Sequence, residues 1–440
     1  MRLLRYLDRP ISAWAYAVAA PLLLLAPHGV ALFLFWAADQ PLQLNASFWI
    51  FPLGRISALQ ISYWLSIAGY ALGLAASWAL VVLSMRRANL SGMGYLFVLA
   101  IPFPWLQLLA TAVLAVLPRR RDSLSVPPED GSDIRHIMEG LFAGVAIIVL
   151  AVLISAVTFG AYGWGLFVGT PLIVGLTTAY LANRRLLLSA GKTTNLVIAA
   201  AALGSLALIM FALEGLVCVI LVSPLGAFAA AIGGWVGREI AIKRHHGGKS
   251  LYCIALLPLA FAAEAATPPA ALIMSSESLE IAAPPERVWE ATIAPGRIDV
   301  PANAVARAGL AYPLGSRIRG SGVGAIRLGL FSTGTAIERV TEWKPGKRLT
   351  FEVLQQPPAM EEMSPYRRVH APHVHGYFET GETRFEMHGL ANGKTRLMIT
   401  AAHRLRIDPL PYWEPIARWA IRENCRRVLE DIRLKAEARD

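Results

Sequence analysis

Charge is scarce in this chain: 16% of its 440 residues are Asp, Glu, Lys or Arg, while 55% are hydrophobic. A soluble protein of this length would carry about 25% charge, so much of the chain is built to meet lipid. Cysteine is scarcer still. Cys218, Cys253 and Cys425 stand far apart, which excludes a disulfide framework and a cysteine-based metal site. Acids are missing from the middles of the apolar stretches, since Glu139 and Glu214 lie at run ends and Glu264 closes the apolar stretch Leu251–Ala263 near the far interface. A proton or ion relay needs acids near mid-membrane, so a transporter lacks its usual signature here. Ser332 has no G-x-S-x-G around it, and a serine nucleophile is not expected.

What is present is a basic excess, net +11, unevenly spread. Residues 276–440 hold 24 Lys+Arg against 20 Asp+Glu, and the remainder holds 17 against 10. The excess therefore sits in short loops between apolar runs, where positive-inside orientation and anionic lipid account for it without nucleic acid.

Eight apolar runs precede residue 276: Ile11–Ala38, Ala58–Ser84, Gly94–Leu117, Glu139–Gly160, Gly163–Leu181, Asn195–Leu213, Gly215–Val236 and Leu251–Met274. Most reach the ~20 residues that span a bilayer core. A polytopic helical membrane domain over 1–275, with seven or eight spans, is the expectation. The first run has no cleavage pattern and reads as a span. The basic loops at Arg86–Arg87, Arg119–Arg121, Arg184–Arg185 with Lys192, and Arg238–Lys249 prefer the cytoplasm. The last run, if it spans, delivers the tail to the other side. That run is interrupted by Glu264 and Pro268-Pro269, and it also resembles an internal signal sequence.

Within 53–121, Gly54-Arg55-Ile56-Ser57, Tyr63-Trp64, Arg86-Arg87, Ser91-Gly92 and the IPFPW run succeed one another. This order resembles a family of small bacterial inner-membrane domains of unknown function, with pattern GR-I-x-R, YW, RRLHD, SGW, IP. Arg86-Arg87-Ala88-Asn89-Leu90 stands where the family has RRLHD.

The tail, 276–440, has a different period. Ser278–Ala291, SLEIAAPPERVWEA, gives a short strand through Leu279 and Ile281, then Pro284-Pro285 and a helix with Val288, Trp289, Thr292 and Ile293 inward. After an irregular connector through Tyr312-Pro313, alternation predicts strands at Ser316–Gly320, Ala325–Ser332, Thr335–Glu342, Leu349–Gln355, Gly376–Thr380, Thr383–His388 and Thr395–Leu405. Short turns join them, including Gly320–Gly324 and Thr380-Gly381-Glu382, so the sheet is an antiparallel meander. Trp413, Ala417, Ile421, Cys425, Val428 and Ile432 mark the apolar face of a long last helix. Glu423, Arg427 and Asp431 fall on its solvated side.

The strand-APPE-helix opening and this order of elements resemble the SRPBCC superfamily of START-like and polyketide-cyclase-like helix-grip domains. The resemblance implies an α+β fold in which a curved antiparallel sheet wraps a long C-terminal helix, with a cavity between them. It implies an apolar ligand, and no cofactor.

Several residues are candidates for the site. Arg327 shares a strand face with Gly329 and Phe331 in GAIRLGLF; on the cavity side it would fix an anionic or carbonyl head group. The alternative is a solvated face. Phe331, Phe351, Tyr377, Phe385 and Trp413 are expected to line the cavity or the core. His370, His373 and His375 invite a metal reading, but a loop over the sheet is the default and no metal is expected. Gly320, Gly322 and Gly324 join strands with no helix after them, so they read as turn glycines and not as a phosphate loop.

The expected function is membrane-tethered binding of a hydrophobic small molecule or lipid, in a bacterial inner-membrane protein whose soluble domain lies on the non-cytoplasmic side. The alternatives are a cyclase or dehydratase using Arg327, His373 and Tyr377, and a transporter with a regulatory tail.

Overall fold

The computed structural model describes residues 11–41, 48–49, 52–53, 63–88, 104–117, 134–184, 188–243, 256–360, 376–391 and 393–438, with isolated positions between them. Two compact units divide the chain: Met1–Met210 with Val222–Thr267, and Phe211–Leu221 with Pro268–Asp440.

The first unit is helical: α1 Ala13–Ala37, α2 Tyr63–Ala88, α3 Pro104–Val116, α4 Ile134–Val152, α5 Thr170–Asn183, α6 Ala190–Met210, α7 Leu216–Lys243 from Val222 onward, and α8 Leu256–Ala266. The stretches Leu153–Thr158 and Gly165–Gly169, which extend α4 and precede α5, are π-helical. Five helical stretches among the described residues are long and apolar enough to cross a membrane: Ala13–Ala37, His136–Thr158, Gly165–Asn183, Ala190–Met210 and Leu216–Ile242. The expected seven or eight spans are therefore not supported. The apolar parts of α2, α3 and α8 are shorter. The run read as Leu251–Met274 divides in two, because α8 stops at Ala266, the two prolines break the helix, and a β-strand has begun by Ala271. Gly54–Ser57, Ser91 and Gly92, which carry much of the second resemblance, lie outside the described residues, as do Arg119–Arg121.

Small residues let the helices approach closely. A Cβ on Gly175 would stand 2.0 Å from the Ala230 carbonyl oxygen, and one on Gly233 1.9 Å from that of Leu172, so α5 and α7 meet backbone to backbone. Polar contacts gather at the two ends of this bundle. At one end Arg184 pairs with Glu139, Asn183 Nδ2 donates to Thr193 Oγ1 at 3.1 Å, and Arg238 Nε donates to the Leu188 carbonyl at 3.2 Å. At the other end, where the chain turns between Thr158 and Gly165, the Gly165 N–H donates to Glu264 Oε1 at 2.8 Å. All three acids sit at helix ends, as their sequence positions imply.

The second unit holds β1 Ala271–Ile281, α9 Pro285–Ile293, β2 Gly296–Arg297, α10 Ala304–Arg307, β3 Pro313–Arg319, β4 Ile326–Phe331, β5 Gly334–Lys344, β6 Arg348–Gln355, β7 Phe378–Gly389, β8 Thr395–Leu405 and α11 Leu410–Glu437. The strands form one antiparallel sheet in the order β1-β8-β7-β6-β5-β4-β3-β2. It curls into a half-barrel with α11 against it. Val288, Trp289 and Thr292 are the buried residues of α9, and Trp289 meets Trp343 edge-on at 5.2 Å, covering one end of the sheet.

Three expectations change. The first strand starts at Ala271 and runs through Leu279 to Ile281, longer than its alternation implied. Thr380-Gly381-Glu382 is not a turn: β7 is continuous, and the ladder with β8 shifts register between Thr380 and Thr383 as a bulge. Arg427 and Asp431 are buried, not solvated. Arg427 donates to the carbonyls of Val300 (2.8 Å), Pro301 (3.3 Å) and Pro313, and Asp431 Oδ1 accepts the Asp299 N–H at 3.0 Å. The connector has too little secondary structure to satisfy its own backbone, and α11 does it instead. Gly320, Gly322 and Gly324 have φ of +86°, +82° and +90°, the left-handed geometry a turn needs.

Candidate functional site: the concave face of the sheet

One pairing fixes which sheet face meets α11. On β1, Ile273, Ser275 and Ile281 are buried, Glu277 shares their phase, and Leu272, Met274, Ser276 and Ser278 are exposed. Glu277 takes the guanidinium groups of Arg422 and Arg426 from α11. The phase of Glu277 is therefore the concave one. Cross-strand register carries it through the sheet: Glu277 opposes Ile399, Ile399 opposes Phe385, Phe385 opposes Leu349, Phe351 opposes Val340, and Glu338 opposes Arg327.

Arg327 thus lies on the concave face and not on a solvated one. Its side chain is 14% exposed and pairs with Glu338, at 5%, which alternation alone did not single out. The guanidinium carbon stands 4.4 Å from the Phe351 ring centroid, a cation–π contact. Gly329 makes the room: a Cβ there would stand 3.0 Å from Glu338 Oε1 and 3.2 Å from Phe331 Cε2. Arg327, Phe331, Phe351 and Glu338 are thereby brought together. Phe385 joins them through Phe351, ring centroids 6.2 Å apart.

The other candidates are more scattered. Trp413 is buried in the first turn of α11 against Tyr412. Tyr377 directly precedes β7, its carbonyl accepting the Arg406 N–H at 2.8 Å, and partial burial raises its phenol pKa. His373, with His370 and His375, lies outside the described residues. Among those described, no three side chains are grouped to hold a metal ion.

Near Tyr377 the sheet parts. β6 and β7 pair only from Arg348 to Glu352; Val353 and Gln355 pair with β5 alone, and Phe378–Thr380 with β8 alone. The Gln356 carboxamide bridges the gap, donating to the Phe378 carbonyl and accepting the Thr380 N–H at 2.7 Å. His403, opposite Thr380, stands at this split and stacks on Phe378 with centroids 5.0 Å apart. Burial pulls its pKa down to about 4, partly offset by the nearby Ala401 backbone, which does not meet Nδ1 in hydrogen-bonding geometry, so the ring is neutral at ordinary pH. Cys425 on α11 is pushed up to about 12 by burial and by Glu277, and stays a thiol.

Glu338 and His403 are the polar residues that sequence reasoning missed. Their signal was there: in AIERV and TAAHRL each takes the inward phase of an alternating strand.

No family model matches the chain, and no curated protein matches it. Among solved structures it is similar to the Zhui aromatase/cyclase from Streptomyces sp. R1128, at 15% identity over 38% of this chain and 94% of that one, with a TM-score of 0.26. It is similar to Ara h 8.0201 at 11% identity over 38% and 98%, with a TM-score of 0.25. Truncated norcoclaurine synthase from Thalictrum flavum is similar at 10% identity over 39% and 97%, with a TM-score of 0.26. Likeness of that degree carries no activity across, and a functional reading rests on this chain's own side chains.

Proposed function

We propose that the second unit binds an apolar small molecule or lipid between the concave face of its sheet and α11, in a polytopic protein of a bacterial inner membrane. The observation that carries this reading is the Arg327–Glu338 pair set beside Phe351, Phe331 and Phe385. A buried ion pair is no more stabilising than apolar side chains of the same volume, so its place in a greasy concavity suits contact with a ligand better than it suits packing. Phe351 and Phe385 would hold the apolar body, with Tyr377 and Trp413 toward the end where β6 and β7 part. Membrane spans keep such a site near the phase into which apolar ligands partition.

We place the unit on the non-cytoplasmic side. Arg184, Lys192 and Arg238 mark the basic end of the bundle, which the positive-inside rule orients to the cytoplasm. Glu264, the far end of α8, is held by Gly165 at the opposite end, which supports a crossing between Lys243 and Pro268.

The test is native mass spectrometry of the full chain released from nanodiscs, paired with displacement of a fluorescent lipid. An apolar species retained by the protein and exchanged by the probe is the expected result. A protein that carries no such species and displaces no lipid would sink the reading.

A further inference from the structure

The charged side chains described on the concave face, and on the surface of α11 that meets it, are already matched. Glu277 has Arg422 and Arg426, Glu338 has Arg327, and Glu414 has Arg418 at 2.7 Å. Among the buried polar atoms left without a protein hydrogen bond are five of another kind: Ser275 Oγ, Ser316 Oγ, His403 Nδ1 and Asn424 Oδ1, all neutral, and Arg418 Nη2, whose charge Glu414 balances. A buried polar atom without a partner costs about 1–3 kcal/mol, and such atoms are few in folded proteins. Two of these five belong to one corner. Ser275 opposes Ala401 and His403 opposes Ile273, so the two are diagonal neighbours on the concave face. Ser275 is 5% exposed and His403 7%. The corner lies at the parting of β6 and β7, which Gln356 bridges.

We propose that Ser275 and His403 form the polar end of the binding site and take an uncharged hydroxyl or carbonyl group on an apolar body. This rests on the reading of the concave face as a ligand site and moves the head-group contact away from Arg327, which was expected to fix an anionic or carbonyl group. A neutral imidazole and a hydroxyl can each donate or accept, so they satisfy an alcohol, phenol or ketone. A carboxylate or phosphate finds no unmatched cation there and would be stripped of water without return. An ammonium meets the same obstacle.

Three probes of one shape separate the cases: naphthalene, 1-naphthol and 1-naphthoate, measured against the full chain in phosphatidylcholine nanodiscs and corrected for empty nanodiscs. 1-Naphthol is expected to bind about tenfold tighter than naphthalene, the worth of satisfying a buried polar group, and 1-naphthoate no tighter than naphthalene. In His403→Leu, and separately in Ser275→Ala, the ratio of 1-naphthol to naphthalene affinity should fall to about twofold. A wild-type preference for 1-naphthoate overturns the inference, whatever the variants do. So does a phenol advantage that survives both substitutions. Wild-type protein that binds none of the three removes the ligand-site reading itself. Should a variant lose naphthalene as well, the wild-type ranking of the three probes decides.

Discussion

A charged residue on an alternating strand can be assigned to a face from its neighbours, but its meaning depends on what lies across from it. Arg327 shares its phase with Gly329 and Phe331, and that much is legible in GAIRLGLF. Its partner Glu338 comes from the next strand, and only the register Arg327↔Glu338 brings the two together. His403 is the converse case, a polar residue in an inward phase with its Nδ1 unmatched. With a folded pKa of about 4 against an ordinary 6.5, it binds fewer protons folded than unfolded between those values. Its neutral form therefore contributes stability fully present above pH 6.5, and that stability drains away as pH falls toward 4. Thermal or denaturant unfolding of the full chain across pH 7.5 to 4 is expected to show it: wild type should lose more stability than His403→Leu over that window, by on the order of 3 kcal/mol. Parallel pH profiles for the two proteins would refute the assignment.

At the scale of elements, strands were easier to read than their joints. β8 appears as Thr395–Leu405, the bounds its alternation implied. Thr380-Gly381-Glu382 has the composition of a turn but forms a bulge, because both flanking halves pair with the same strand, β8, which runs on without a break. Helix α11 shows a similar limit. Its apolar stripe was visible, yet Arg427 and Asp431 looked solvated, since helical spacing says nothing about a connector that folds back over them. Arg427 carries three carbonyls of that connector, and hydrogen bonds to charged groups contribute about 1.5–3 kcal/mol each, not additively. Arg427→Met is expected to destabilise the unit by about 3 kcal/mol and to raise amide exchange across 297–313 while leaving the centre of β8 protected. Unchanged exchange in the connector would show that α11 does not hold it.

For the whole molecule, the sharp change in composition near residue 270 separates apolar helices from a sheet with an inside and an outside. The number of spans was harder, because apolar length overstates crossing where prolines cut a run, as at Pro268-Pro269. The proposed sidedness rests on loop charge and on the contact that pins Glu264 at the end of the bundle away from Arg184. In a chain whose native cysteines are replaced, Ser321→Cys in the exposed β3–β4 turn should react with a membrane-impermeant maleimide in spheroplasts without lysis. Labelling only after lysis would place the tail in the cytoplasm.

Period and composition by themselves determined that apolar helices precede an antiparallel sheet and a long amphipathic helix, because hydrophobic spacing of 3.6 or 2 is a local property of the chain. Tertiary structure decided which charges neutralise one another, which polar atoms are left over, and where the sheet splits. Those are facts about register and about surfaces meeting across the fold, between residues as distant as Ser275 and His403, and no local pattern encodes them.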